Sequence, residues 1–568
     1  MIALIAASML AATATAQTAP PAAATPYAPL RPAAAAKPAP RKAATAKPAR
    51  TLPIAMGEVV DGQPEGTLYA NQAYRNTYHY YNWDGEIEHG ESEAILTDYV
   101  MAPDGTIWLK SPVSLVETGW VRLDMEDEDI YVAHTPQLVM EDETDIDDDG
   151  NPYRAYATRL VLRNDGDGYY YYPDGTSDEG YNLDIRFSYV DGILQQMQDS
   201  CVAEMDNMPY EVLGLTYADG EWLGYATGHM TVYPIQETAA CPPEGVAQEL
   251  YAVTATQLSE MTGEPAGSRQ LARMAFSGNE AWLATPGGTG GWMHGTKQED
   301  GSLVFAPQYL GPCPELGTHL WFAPADYTLD ETGDEWEPYT LNLYRCAELT
   351  LAPDGNGGYA AQEGKAIVVN AAQEKVLYVS SFLSPAIAPF HEVAAKPATP
   401  DVWEYYPYDS EWGFGLFSAT IPDTDTEGNL LNTEKLSYVI YLGDQGRQLT
   451  LSPAEYTYLD HEMTELPYSF TDNFDISVTE YGHTVYLFNG GYDRVGVQSI
   501  YRGAGEERRS DIGWSDGEVT DGIAAANATT TTAPAARYDL QGRRISKPTR
   551  GISIVRMADG TVRKQVVK

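Results

Sequence analysis

Short runs of β-branched and aromatic residues, cut by turn signals every few positions, constrain this chain more than any other feature. Leu436-Ser-Tyr-Val-Ile-Tyr-Leu442 is one such run, and Ile476-Ser-Val-Thr and Thr484-Val-Tyr-Leu-Phe488 flank Glu480-Tyr-Gly-His483 as a hairpin would. Pro-Asp-Gly recurs at 103–105, 173–175 and 353–355. Proline presets φ, aspartate bonds its own backbone and glycine accepts positive φ, so each triplet reads as a turn. Helical periodicity is rare. It is expected only near Ser452-Pro453-Ala-Glu-Tyr, where serine caps and proline opens a first turn, and over Ala247 to Met261. The expected class is therefore mainly all-β, with tandem β-sandwich or β-barrel domains and few short helices. At 568 residues the chain exceeds one hydrophobic core, and about three domains are expected.

An internal repeat organises the first two domains. Ile107-Trp108-Leu109, Gly119-Trp120-Val121 and Pro136-Gln137-Leu138 recur as Ala281-Trp282-Leu283, Gly291-Trp292-Met293 and Pro307-Gln308-Tyr309-Leu310. Tyr181-Asn-Leu-Asp-Ile185 is matched to Tyr339-Thr-Leu-Asn-Leu343. Tryptophans at matched positions are what a shared core requires. The expected division is two related β-domains over 51–240 and 241–396 and a β-sandwich over 397–520. A low-complexity linker at 521–536 and a basic tail at 537–568 follow.

The first 16 residues, an apolar and small-residue run ending Ala14-Thr15-Ala16, have the form of a signal peptide. Residues 17–50, almost wholly Ala, Pro, Thr, Lys and Arg, read as an extended linker. No other stretch is apolar for long enough to be a membrane helix. Charge is uneven: residues 51–536 carry 20 basic and 79 acidic side chains. A body this acidic repels nucleic acid and anionic membranes, so neither is expected as a partner. Cys201, Cys241, Cys313 and Cys346 allow two disulfides in three pairings, or free thiols; no C-x-x-C is present.

The tail carries a resemblance. Tyr538-Asp-Leu-Gln-Gly-Arg-Arg-Ile545, Arg550-Gly-Ile-Ser-Ile-Val-Arg556 and Ala558-Asp-Gly-Thr-Val-Arg-Lys-Gln-Val-Val-Lys568 read as three short strands. They begin at Tyr538 to Leu540, Ile552 to Arg556 and Thr561 to Val567, with a hairpin turn at Asp559-Gly560. This resembles the end of the C-terminal sorting domain of the type IX (Por) secretion system of Bacteroidota. The resemblance implies passage across the outer membrane, with residues 537–568 engaging the secretion machinery, and an extracellular or outer-membrane surface location. Ile421-Pro-Asp-Thr-Asp-Thr-Glu-Gly-Asn-Leu430, Lys435-Leu-Ser-Tyr, Met463-Thr-Glu-Leu-Pro-Tyr-Ser-Phe470 and Val495-Gly-Val-Gln-Ser-Ile-Tyr501 resemble a module of uncharacterised secreted proteins from the same bacteria. The tryptophan and Pro-Gln-Tyr-Leu-Gly segments of 241–396 resemble another. Neither resemblance implies an activity.

Two features suggest sites. Asp145-Ile-Asp147-Asp-Asp149-Gly150 alternates carboxylates in a tight turn, as a calcium loop does; Asp423-Thr-Asp425-Thr-Glu427-Gly428 is a looser copy. Asp145, Asp147, Asp149, Asp423, Asp425 and Glu427 are the candidate calcium ligands, against the plainer reading of solvated acidic turns. Tyr80-Tyr81-Asn82-Trp83 and Tyr169-Tyr170-Tyr171-Tyr172 must each place rings on both faces of a strand. Tyr81, Trp83, Tyr170 and Tyr172 are therefore candidates for stacking on glycans, against cross-strand packing. Metal-protease, serine-hydrolase and P-loop motifs are absent from the sequence. With 81 acids, no carboxylate pair is singled out for glycoside hydrolysis. The expected function is a non-enzymatic surface or secreted protein, structural or binding, directed at a polysaccharide or host matrix. A glycan-active hydrolase on a β-scaffold is the alternative.

Overall fold

The computed structural model describes residues 59–520 with short internal interruptions, the longest being 114–118 and 147–151, and four strands between 534 and 567. The signal-like segment and residues 17–50 lie outside the described residues. The chain divides into two compact units, Met1–Phe390 and His391–Lys568. Nearly all regular structure is antiparallel β.

In the first unit, eight strands pair in succession. These are β1 (Thr67–Tyr81), β2 (Ile87–Met101), β3 (Ile107–Lys110), β4 (Trp120–Asp127), β5 (Ile130–His134), β6 (Asp184–Val190), β7 (Ile193–Gln196) and β8 (Trp222–Tyr233). β8 then pairs back onto β1, Tyr233 opposite Ala73, so the sheet closes into a barrel. The same circuit is built again by β9 (Gln248–Leu258), β10 (Pro265–Ser277), β11 (Glu280–Ala284), β12 (Trp292–Lys297), β13 (Leu303–Phe305), β14 (Leu349–Pro353), β15 (Tyr359–Ala361) and β16 (Tyr378–Pro389). Period-two burial explains both. Along β6, Ile185 and Phe187 turn inward while Arg186 stays exposed, and along β14 Leu349 and Leu351 do the same. Each fully buried side chain of this size contributes about 1.5–3 kcal/mol.

Each closing strand also feeds a side sheet. Thr231 and Val232 of β8 pair with β7, whereas Ala226 and Thr227 pair with Glu211–Thr216. That strand pairs with Pro152–Asn164, which holds Gln137–Ile146 and Tyr169–Pro173 on its far edge. In the second barrel β16 pairs with Lys365–Asn370, which holds Thr318–Phe322 and Ala325–Glu331.

The repeated residues occupy equivalent places. Trp108 and Trp282 lie in the third strands, and Trp120 and Trp292 open the fourth. The Arg122 guanidinium lies 5.8 Å from the Trp108 ring, and the His294 ring stacks on Trp282 at 5.0 Å. Gln137 Nε2 donates to Arg122 O at 2.8 Å, and Arg122 N donates back to Gln137 Oε1 at 2.8 Å. Gln308 repeats this with His294, at 2.9 and 2.7 Å. One amide thus satisfies both backbone groups of a fourth-strand residue in each barrel. The expected match of Tyr181–Ile185 to Tyr339–Leu343 does not hold. Tyr339–Arg345 belongs to the side sheet, antiparallel to Ala325–Glu331, and the equivalent of β6 is β14, each paired with its barrel's fifth strand.

The first barrel meets the second barrel's side sheet strand to strand, Ile95 of β2 opposite Thr318 in an antiparallel pairing. Leu96 N donates to Gly317 O at 2.8 Å and Thr318 Oγ1 to Ala94 O at 2.9 Å. Beside them Lys375 Nζ lies 2.5 Å from Glu91 and 2.6 Å from Glu93. Tyr309 and Trp321 pack on Ala73 and Ala94, and the Tyr309 hydroxyl is hydrogen-bonded to the buried His319 Nδ1 at 2.6 Å.

The second unit contains a two-sheet sandwich. Asp401–Asp409, Phe414–Thr420, Gly482–Leu487 and Ile476–Thr479 form one sheet. The other is built on Leu436–Leu442 and Val495–Tyr501, with Ile512–Trp514 beyond them. Phe417, Val485 and Leu487 pack against Tyr438, Ile440 and Val497 between the two. The hairpin read at Ile476–His483 is present. Neither expected helix is. Ala247–Met261 is mostly strand β9, and Ser452 closes a single turn, its carbonyl accepting from Glu455 N and Tyr456 N. Helical regions among the described residues are two one-turn 3-10 segments, Ala203–Met205 and Thr433–Lys435. No helix among them is long and apolar enough to cross a membrane.

The tail forms a four-stranded antiparallel sheet, Arg544–Ile545, Pro534–Tyr538, Gly551–Met557 and Val562–Val567 in spatial order. Its first strand ends at Tyr538 rather than starting there and reaches back into the segment read as linker. The Arg544–Ile545 strand was not anticipated.

Two outcomes follow. Gln137→Ala or Gln308→Ala leaves two backbone groups unpaired and should each lower unfolding stability by about 1–3 kcal/mol in denaturant titrations. His79, His319 and His483 are buried, and burial pulls all three imidazoles below their usual range, His79 to about 3. Below the ordinary value of 6.5 the unfolded chain binds protons that folded His79 refuses, so its contribution is lost as pH falls from 6.5 toward 3. Between 6.5 and about pH 5, before most carboxylates titrate, stability should fall by up to about 1.4 kcal/mol per unit per histidine, and less steeply in His79→Asn.

Candidate functional site

At one end of the first barrel the turns β2–β3, β4–β5 and β6–β7 surround a group of four tyrosines. Tyr69 and Tyr99 stand opposite one another across β1 and β2, and their rings stack at 4.6 Å with an interplanar angle of 9°. Tyr189 of β6 meets Tyr99 edge-on at 6.2 Å and Tyr131 of β5 at 5.8 Å. The Tyr99 and Tyr189 hydroxyls are 3.1 Å apart, within hydrogen-bonding distance. Alternation puts all four on the inward face, but only the outermost layer reaches solvent: Tyr99 is 1% exposed and Tyr69 36%.

Met125, opposite Tyr131, completes the mouth and is 52% exposed. The Pro103-Asp-Gly105 turn passes directly beneath it. Gly105 has φ 90°, which the turn requires of glycine, and a Cβ there would stand 3.1 Å from the flexible Met125 Cε. Leu68, Val190 and Ile193, all exposed, lie around the same rim. Asp104, Asp127, Asp129 and Asp191 occupy its three turns, all exposed.

Burial, reinforced by the Tyr189 hydroxyl, pushes the Tyr99 phenol far above its usual range; burial with Tyr189 and Asp129 raises Tyr131. Both rings therefore stay neutral. Beneath them the barrel is filled by Ile107, Leu109, Leu123, Ile185 and Phe187. A gap of about 10 Å³ beside Val113, Val121 and Val139 has room for one water. The mouth is thus a platform of aromatic rings rimmed by carboxylates, with buried side chains beneath it among the described residues. Rings with neutral hydroxyls suit the apolar face and hydroxyl edge of a sugar. The second barrel lacks an equivalent: Met274 stands where Tyr99 stands, as their pairings with Leu283 and Leu109 show.

The tyrosines expected to bind lie elsewhere. Tyr81 and Tyr170 meet edge-on at 5.5 Å, Tyr170 and Tyr172 lie 5.1 Å apart, and Trp222 packs on Tyr170 at 5.1 Å. Tyr170 is only 8% exposed and donates to Trp222 O at 3.1 Å. Its ring faces are spent on neighbours, because the side sheet covers this face of β8. Tyr81 and Tyr172 are half-buried in the same cluster. Trp83 lies outside the described residues, as do Asp147 and Asp149; Asp145 lies in strand Gln137–Ile146.

The Asp423 loop is not laid out as a cation cradle. Asp425 is buried, its Oδ1 accepts from Glu427 N and Asn429 N, both at 2.8 Å, and its Oδ2 accepts from Asn429 Nδ2 at 3.0 Å. Burial opposes ionisation, but these donors outweigh it and hold the carboxyl below its usual range. A carboxylate saturated by its own loop braces a turn. Among the described residues no group of three His, Cys, Asp or Glu side chains is arranged to hold a metal ion.

Tyr69, Tyr99, Tyr131 and Tyr189 were missed as a site because they are spread over four separate strands, β1, β2, β5 and β6. The available signal was that each sits within two residues of a turn or strand end. No protein-family model matches the chain, and no curated protein matches it.

Truncating the two stacked rings should separate support from surface. Tyr99→Ala is expected to cost about 3–5 kcal/mol, and Tyr69→Ala under about 1 kcal/mol, in equilibrium unfolding.

Proposed function

We propose that this chain is an exported, non-enzymatic binding protein of the cell surface that takes neutral polysaccharide on the tyrosine mouth of its first barrel. The observation that carries the reading is the exposed Tyr69 ring, stacked parallel on the buried Tyr99 at 4.6 Å. The rim carboxylates supply acceptors for sugar hydroxyls. The formal net charge of −46 disfavours polyanionic ligands. The sorting-like tail supports export, with residues 537–568 as the element that engages the secretion machinery.

Binding of neutral oligosaccharides to the full chain, measured on a glycan array and then by calorimetry, tests this. Tyr69→Ala should weaken binding at least about tenfold, or 1.4 kcal/mol, while Tyr406→Ala, which removes an exposed ring of the other unit, leaves it unchanged. Parallel runs with calcium and with EDTA read out any part played by the Asp145–Asp149 segment. Binding that is indifferent to Tyr69→Ala would remove the mouth as the seat.

A further inference from the structure

Away from the mouth, the fold assembles chemistry that the sequence scatters. Cys201 opens a two-residue strand, Cys201–Val202, paired with Met208–Pro209, and is exposed. Its Sγ lies 3.6 Å from Nε2 of His229 on β8. Behind them stands His79, 2% exposed, with Nε2 3.2 Å from Thr77 Oγ1 and Nδ1 buried without a partner. His89 stacks over His79 at 6.1 Å, and Tyr171 meets it edge-on at 5.6 Å.

The pair is positioned rather than incidental. Tyr171 donates to Pro209 O at 3.0 Å and so anchors the strand opposite Cys201. Gly228 lets that hairpin rest on β8, since a Cβ there would meet Pro209 Cγ at 2.7 Å. His229 follows with φ 49°, the left-handed region that residues other than glycine rarely adopt. It falls in the bulge where β1 and β8 change register, between the Thr77↔Gly228 and Arg75↔Thr231 pairs. The bulge re-aims one side chain of β8, and here that side chain is the imidazole beside the thiol.

We propose that Cys201 and His229 form a reactive thiol–imidazole pair that takes low-molecular-weight disulfides into mixed disulfides on the surface of the first unit. His229 Nε2 accepts the Cys201 proton as Sγ attacks one sulfur of the incoming disulfide. The new Sγ–S bond forms as the old S–S bond breaks, and its electron pair leaves on the departing thiolate, which takes the proton from His229. Cys201 is oxidised and the small disulfide reduced, so no other oxidant is needed. Desolvation lowers the basicity of His229 against the opposing pull of Glu91, which keeps the ring neutral and able to accept a proton. Burial pushes the thiols of Cys313 and Cys346 up, so neither competes, and exposed Cys241 serves as an internal reference.

The test is the rate of reaction of the full folded chain with dithiodipyridine, a neutral chromogenic disulfide. A fast phase is expected that is lost in Cys201→Ser and kept in Cys241→Ser. His229→Asn removes the imidazole but keeps a residue tolerant of the left-handed backbone, and should slow the fast phase at least about tenfold near neutral pH. In the unmodified chain the fast phase should decline as His229 is protonated in acid, a readout that needs no variant. Equal rates for Cys201 and Cys241 across that pH range, or an unchanged rate in folded His229→Asn, would overturn the proposal.

Discussion

Closure of the sheet is the constraint on which the first unit depends. An open antiparallel sheet leaves a row of unpaired N–H and C=O groups at each edge, and those edges are where aggregation begins. Pairing β8 back onto β1, and β16 onto β9, removes them. Closure also fixes which face is interior, because alternation then sends every second side chain into a space only side chains can fill. The filled barrels leave function to the rims and the outer faces.

The closing strands do more than close. β8 has one edge bound along its length to β1, and divides the other between β7 and Glu211–Thr216. A bulge at His229 lies in the β1 pairing of the same strand, and it brings an imidazole to Cys201. The side sheet that β8 starts also buries the Tyr170–Tyr172 run against Trp222. A single backbone arrangement thus decides that one tyrosine-rich segment becomes core and that a histidine becomes a neighbour of a thiol.

Legibility in the sequence followed the range of the interaction. Strand character, Pro-Asp-Gly turns and the Trp-Trp-Gln repeat were readable because each rests on local propensity or on residues recurring at fixed spacing. The equivalence of Gln137 and Gln308 extends to their hydrogen bonds. Helix signals at Ser452 and Ala247 failed because a cap and a short apolar period cannot outweigh pairing with neighbouring strands; β9 is bound on both edges. The match of Tyr181 to Tyr339 failed because similar local pattern does not imply the same partner strand.

The site was less legible than the fold. Tyrosine runs drew attention to Tyr81, Tyr170 and Tyr172, yet a run only guarantees rings on both faces and does not say what covers each. The mouth collects Tyr69 and Tyr99 from the paired strands β1 and β2 and Tyr131 and Tyr189 from β5 and β6, which the closed barrel brings together. By itself the sequence determined the class, the turns, the repeated barrel residues and the acidic character, since these follow from local backbone preference and composition. Which aromatic faces meet solvent, which carboxylate is spent bracing its own loop and which cysteine meets a histidine were decided by tertiary structure alone. Those properties depend on contacts between residues tens of positions apart, and only strand register sets them.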